Sequence, residues 1–138
     1  MHPGEPTANL LRIYLAARYS RYKEMQGYRD ELAKLGHVVT SRWINGDHQA
    51  ENDDPEKMAQ FAQDDWEDIY TADLVISFTE EPRQMNSSRG GRHVEHGMAL
   101  ALGKRVIVIG WRENVFHWLP QVEFFESWQE LLDFGGLL

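Results

Sequence analysis

Short apolar runs alternate in this sequence with stretches whose apolar residues recur at threes and fours, and few folds accept that order. Leu10, Leu11, Ile13, Tyr14, Leu15 and Ala16 make the first run, which reads as a buried strand. Tyr19, Tyr22, Met25, Tyr28, Leu32 and Leu35 then mark one helix face, and Gly36 closes that helix. His37 to Trp43 is expected as the second strand and 44–53, which lacks periodicity, as a loop. Asp54-Pro55 is a helix start: Asp caps, and Pro sits where a missing N–H costs nothing. On that helix Met58, Phe61, Ala62, Asp65, Trp66 and Ile69 share a face, with Asp65 as a carboxylate on an apolar stripe. Asp73 to Phe78 is the third strand, 79–92 a polar loop, and a helix follows to about Leu102, closed by Gly103. Arg105 to Ile109 is the fourth strand, Phe124 and Phe125 suggest a short fifth, and Ser127 to Leu132 a last helix.

Strands alternating with helices imply parallel βαβ units, hence a doubly wound α/β fold. About five mainly parallel strands are expected, with helices on both faces. At 138 residues the chain is expected to form one domain, 1–138, with residues 1–9 as a loose tail. Ligands in such sheets bind beyond the carboxyl ends of the strands. The loops there are Ala16–Ser20, Trp43–Asp53, Thr79–Arg92 and Gly110–His117.

Charge narrows the function. Residues 45–68 hold nine of the 22 acids and a single base, Lys57; elsewhere 13 acids face 13 bases. No basic stripe marks a nucleic-acid binder, and that class is set aside. No apolar run approaches the roughly 18 residues of a membrane span. Met1 to Pro6 does not resemble a secretory signal, so a cytoplasmic location is expected. The absence of cysteine excludes disulfides, thiol nucleophiles and thiolate metal sites.

Two places carry chemistry. Ser87, Ser88, Arg89, Gly90, Gly91 and Arg92 run into the helix that holds Glu95. Glycines that admit close backbone approach, hydroxyl donors, two cations and a helix N-terminus together suit a phosphate; an ordinary surface loop has the same local composition. Glu95 near a helix start is favoured by the dipole, and if turned into the cleft it is a candidate nucleophile or base with Asp65 as its partner. His93-Val94-Glu95-His96 lacks the spacing of a zinc-binding helix and shows no third ligand, so no metal is expected. Tyr19, Tyr22 and Tyr28 read as core. Trp43 is placed either to line a base pocket or to cap the core.

Together these residues resemble the nucleoside 2-deoxyribosyltransferase family, including its relatives that hydrolyse nucleoside 5′-monophosphates. The resemblance runs from about Leu11 to about Leu119. Ile13-Tyr14-Leu15-Ala16-Ala17 is similar to the family's opening strand. Asp65, eight residues ahead of Asp73, matches the catalytic aspartate, and Glu95-His96-Gly97-Met98-Ala99 resembles the Glu-x-Gly-x-Ala segment of the nucleophile. The transferases carry an acid six residues before that glutamate, where this chain has Arg89, and the serine and glycines of the loop resemble the monophosphate hydrolases. The loop itself is several residues longer than in the family. Glu113 to His117 resembles a segment that reaches a neighbouring subunit's site.

The resemblance implies a Rossmann- or flavodoxin-like fold and hydrolysis of the N-glycosidic bond of a nucleoside 5′-monophosphate, 2′-deoxy by expectation. Glu95 is implied as nucleophile, Asp65 as proton donor to the departing base, and Tyr14 as the group that orients Glu95. Substrate contacts are expected from Ala17, Arg18, Ser20 and Trp43. The phosphate falls to Ser87, Ser88, Arg89, Gly90, Gly91 and Arg92, with Asn114 and His117 from a second subunit of a homodimer or larger assembly. No cofactor is implied. The alternatives are transfer of deoxyribose between bases and a non-catalytic nucleotide-sensing module.

Overall fold

A computed structural model describes residues 10–48, 54–82 and 90–137. The strands are β1 (Arg12–Ala16), β2 (Val38–Val39), β3 (Leu74–Phe78), β4 (Arg105–Ile109) and β5 (Val122–Phe125). The helices are α1 (Tyr22–Lys34), α2 (Pro55–Tyr70), α3 (Gly91–Ala101) and α4 (Trp128–Phe134). The sheet order is β2-β1-β3-β4-β5 and every pairing is parallel. This is the doubly wound α/β arrangement, and the order reverses between β1 and β3.

The strands form where the apolar runs lie because β1, β3 and β4 are covered on both faces. Ile13, Leu15, Leu74, Ile76 and Ile107 are fully buried. α1 and α4 meet through Tyr28 and Trp128, whose rings stack at 4.3 Å, while α2 packs on α3. Local chemistry sets the ends. Asp54 accepts the N–H of Glu56 and of Lys57, and Pro55 opens α2. Ser127 accepts the Glu130 N–H to cap α4. Asp73 accepts the Arg12 N–H at 2.9 Å and pairs with its guanidinium, tying the start of β3 to β1.

The second strand is far shorter than its apolar run suggests. Ser41 turns inward and its hydroxyl oxygen accepts the Leu15 N–H at 2.6 Å, taking over the bond that a continued strand would have made. The chain then winds into a 3₁₀ turn, Arg42–Asn45, which lays Trp43 over the end of β1 with its indole N–H on the Leu15 carbonyl. The apolar stripe of α2 is displaced too. Trp66 and Ala62 face outward, and the inward line runs through Phe61, Asp65, Asp68 and Ile69. No described helix is long and apolar enough to cross a membrane.

Candidate active site

A cleft of about 350 Å³ opens at the carboxyl end of β1, beside the switch point of the sheet. The turn after β1 contributes Ala17, Arg18, Tyr19 and Ser20, and Trp43 forms a wall. α2 sends in Phe61 and Asp65, one turn apart on one face, and α3 sends in Gly91, Arg92 and Glu95. His48 completes the lining, its ring stacked on Phe61 at 4.6 Å and its Nε2 3.4 Å from Asp64.

Glu95 and Asp65 come from different helices and meet in this cleft. Burial pushes the Glu95 carboxyl well above the usual carboxylate range, and the Asp65 charge beside it pushes the same way. Tyr14 opposes the rise by offering its hydroxyl to Glu95. Burial also raises Asp65, to about 6, while Glu95 and His48 hold it down. Two carboxyl groups so placed titrate as a unit, passing through a form that holds one proton between them. One member is then an anion and the other an acid.

Tyr14 is fully buried on β1, and burial with the charges of Glu95 and Asp65 drives its phenol well above 10, so it remains a donor. Its approach to Glu95 is looser than a regular hydrogen bond. Among the described residues neither Tyr14 Oη nor Asp65 Oδ1 makes a hydrogen bond of regular geometry, though both are shut off from bulk solvent. Two polar atoms held only loosely, beside one carboxylate in a cleft, suit a polar ligand.

The mouth of α3 differs from the sequence expectation. Gly90 takes φ 83°, a left-handed geometry open to glycine, and starts the helix with Gly91. Arg92 is not a free cation for a phosphate. Both its terminal nitrogens bond the Glu113 carboxylate, NH2 at 2.9 Å and NH1 through a still closer contact. Glu113 also accepts the Glu80 N–H at 3.0 Å, so the loops after β3 and β4 and the first turn of α3 are drawn together at one carboxylate. Burial works to raise Glu113, yet Arg92 and the Glu80 N–H bring it below its ordinary value. Arg18 is held more loosely, 3.7 Å from Glu80, which Arg21 engages at 2.9 Å. Ser87, Ser88 and Arg89 lie outside the described residues.

Asn114 and His117 also serve their own chain. The Asn114 side chain accepts the Phe116 N–H, capping a 3₁₀ turn. His117 is buried, its Nδ1 accepts the Glu113 N–H, and its ring meets His96 edge-on at 4.8 Å. Folded inward, His117 is not a group that reaches out to a second subunit. Among the described residues no three acidic or histidine side chains gather as a metal site.

Tyr19, His48 and Phe61 line the cleft without having been singled out from the sequence for it. Phe61 was within reach, since it stands four residues before Asp65 on the same helix. Asp68 carried a signal of the same kind. It is buried three residues beyond Asp65, where it takes the Arg42 N–H and guanidinium.

No family model and no curated protein matches the chain. Solved structures do. A 2-deoxyribosyltransferase from Bacillus psychrosaccharolyticus superposes with a TM-score of 0.70 at 26% identity, over 91% of this chain and 95% of that one. The CMP N-glycosidase BcmB of Clostridium botulinum gives 0.57 at 24% identity, over 92% of this chain and 99% of that one. Both are enzymes, one from the transferases and one from the glycosidases that the sequence motifs resemble.

Proposed function

We propose that the protein is an N-glycosidase acting on a nucleoside 5′-monophosphate, with a 2′-deoxy sugar as the expected substrate. The observation that carries this reading is the pair of half-buried carboxyls, Glu95 and Asp65, facing one cleft. In the first step a Glu95 oxygen attacks C1′ and forms a glycosyl ester as the C1′–N bond breaks. The bonding electrons leave with the base, which takes the proton from Asp65. Asp65, now a carboxylate, draws a proton from water, and the hydroxide oxygen attacks C1′. This frees Glu95 and releases the sugar phosphate. Tyr14, kept protonated by its surroundings, steadies the Glu95 oxygen that does not attack.

Trp43, Phe61 and the His48 ring form a flat-sided wall suited to the base. The amino end of α3 and Arg18 line the same cleft, where a phosphate is favoured by the helix dipole and by charge. No metal or organic cofactor enters, since nucleophile and acid suffice.

The chain is further proposed to work as a homodimer. Val94 and Phe116 are exposed at a largely apolar hollow of about 710 Å³ that α3, the proposed catalytic helix, shares with the 114–119 segment. A second copy burying this hollow would remove that surface from water. Light scattering at working concentration checks it, and a monomer with full activity would remove the dimer from the proposal.

Chromatography of a panel of nucleosides and monophosphates after incubation tests the main reading. Free base and sugar phosphate from a monophosphate support it. Transfer to a second base is the alternative favoured by the higher TM-score of the deoxyribosyltransferase, and an added acceptor base appearing in a new nucleoside or nucleotide would establish it. A nucleotide bound and recovered intact would point to a sensing module.

A further inference from the structure

A second cleft, of about 610 Å³, lies at the carboxyl end of β4 and β5, lined by Gly110, Trp111, Arg112, Trp118, Phe124 and Glu126. Its centre is the Arg112 guanidinium, with Cζ 4.2 Å from the Trp118 ring centroid and 4.0 Å from that of Phe124. Both rings fix the guanidinium plane by cation–π contact and leave its edge to act as a donor. Gly110 sets the turn at φ 115°. A side chain there would sit 2.9 Å from Thr79 Oγ1, which accepts the Trp111 N–H.

Arg112 differs from its counterparts. Every other described arginine has a carboxylate within salt-bridge distance, in a chain with 22 acids. Among the described residues Arg112 has no ion pair, and its Nε is buried with no hydrogen-bond partner there. A cation clamped in place but left without an anion is an unusual expense in a folded protein. Trp111 and Trp118 expose much of their indoles beside it, and the Glu126 carboxylate lines the same cleft.

We propose that this cleft is a second nucleotide site, separate from the one that holds Glu95. Arg112 takes the phosphate through its two-pronged edge. An exposed indole, Trp111 or Trp118, stacks the base. Glu126 accepts an N–H from an exocyclic amino group, so the site favours amino-bearing bases. Glu126 would repel a bare anion, and for that reason a ligand with a donor edge opposite its phosphate fits better than inorganic phosphate. The two clefts open at the same end of the sheet, and the Glu113 clamp between them gives a bound nucleotide a route to α3.

The test is calorimetric titration with a nucleoside 5′-monophosphate of an amino-bearing base, in a Glu95→Gln background. Two sites per chain are expected, and adding Arg112→Ala should remove one by weakening it about tenfold or more. The readout is binding and not turnover. If the glycosidase reading fails and the first cleft is empty, one site should be seen and Arg112→Ala should abolish it. Trp111→Leu and Glu126→Gln give independent checks should Arg112→Ala fold poorly by circular dichroism. Trp111→Leu should weaken the same site, and Glu126→Gln should erase the preference for amino-bearing bases. An isotherm unchanged by Arg112→Ala and Trp111→Leu would overturn the proposal. So would an Arg112→Ala protein that changes its mass by light scattering while its nucleotide binding stays intact, since the cleft would then be a contact between chains.

Discussion

Arg92 on α3 and Glu113 beyond β4 form a two-pronged ion pair with both side chains largely buried, at 6% and 14% exposure. The same carboxylate takes the Glu80 N–H, so the loops after β3 and β4 and the first turn of α3 share one anchor. Glu95 stands one turn further along α3, and its aim at the cleft depends on that anchor.

Removing one member of a buried pair leaves the other charged and unsolvated, at a cost of about 3–5 kcal/mol. Arg92→Ala and Glu113→Ala should each lower the unfolding free energy by about that much in a denaturant titration. The pair Arg92→Met with Glu113→Leu should lie nearer wild type. Activity should fall for nucleoside and monophosphate alike, because the loss acts through α3. A selective loss with the monophosphate would instead mean that Arg92 touches the phosphate.

Glu95→Gln and Glu95→Ala should abolish base release while the fold persists, since the covalent route itself is lost. A drop of at least about a thousandfold is expected in single-turnover assays. Asp65→Asn should come close to that. Asp73→Asn should leave turnover largely intact and cost about 1 kcal/mol of stability, because Asp73 holds the Arg12 N–H in a part-exposed position. If Asp73→Asn alone silenced well-folded protein, the assignment of the two aspartates would be reversed.

Asp65 also fixes a pH dependence. Its carboxyl keeps a proton to about pH 6 in the folded chain, against an ordinary value of 3.8. Between those values the native state holds more protons than the unfolded one, so stability falls as pH rises through the window and levels off above it. Glu95 acts in the same sense. Asp65→Asn should flatten that slope in thermal melts and leave the protein more stable than wild type at pH 7. In the proposed mechanism base release requires the form of the pair that holds one proton; that form appears as the first proton leaves near pH 6, so kcat/KM should rise through that pH and fall only where the raised Glu95 carboxyl gives up the second.

The parts legible in the sequence are those whose neighbours in space are also neighbours in pattern. β1, β3 and β4 announce themselves because strands covered on both faces are unbroken apolar runs, and Asp65 stands out as a carboxylate on a helix face. The second strand misleads because its end is decided by one hydroxyl, Ser41, bonding Leu15 across 26 positions. Arg92 and His117 mislead for the same reason. Both are claimed by the Glu113 residue, and nothing in local periodicity tells an arginine near a glycine pair whether its anion is a ligand or a carboxylate 21 positions away. The meeting of Glu95 with Asp65 is legible as a pairing of two carboxylates, one on an apolar helix face and one near a helix start, and the resemblance of motifs sharpens it; the packing of α2 on α3 is what brings them together.

With Arg92 engaged, Arg18 becomes the described cation best placed for a phosphate. It lines the cleft and its side chain is about a quarter exposed. Its acid, Glu80, sits at 3.7 Å and is held more closely by Arg21, so an incoming phosphate competes with a weak tie. A charge-assisted hydrogen bond to a phosphate contributes about 1.5–3 kcal/mol, equal to roughly a ten- to hundredfold change in kcat/KM. Arg18→Ala should therefore cut kcat/KM for the monophosphate by that factor, through KM, and leave the matching nucleoside nearly unchanged. Arg18→Lys should recover part of the loss, because the charge remains while the fork is gone. Steady-state assays on both substrates decide the matter. Equal loss on nucleoside and monophosphate would make Arg18 a structural partner of Glu80, and equal cleavage of both by the wild type would remove the phosphate from the proposed substrate altogether.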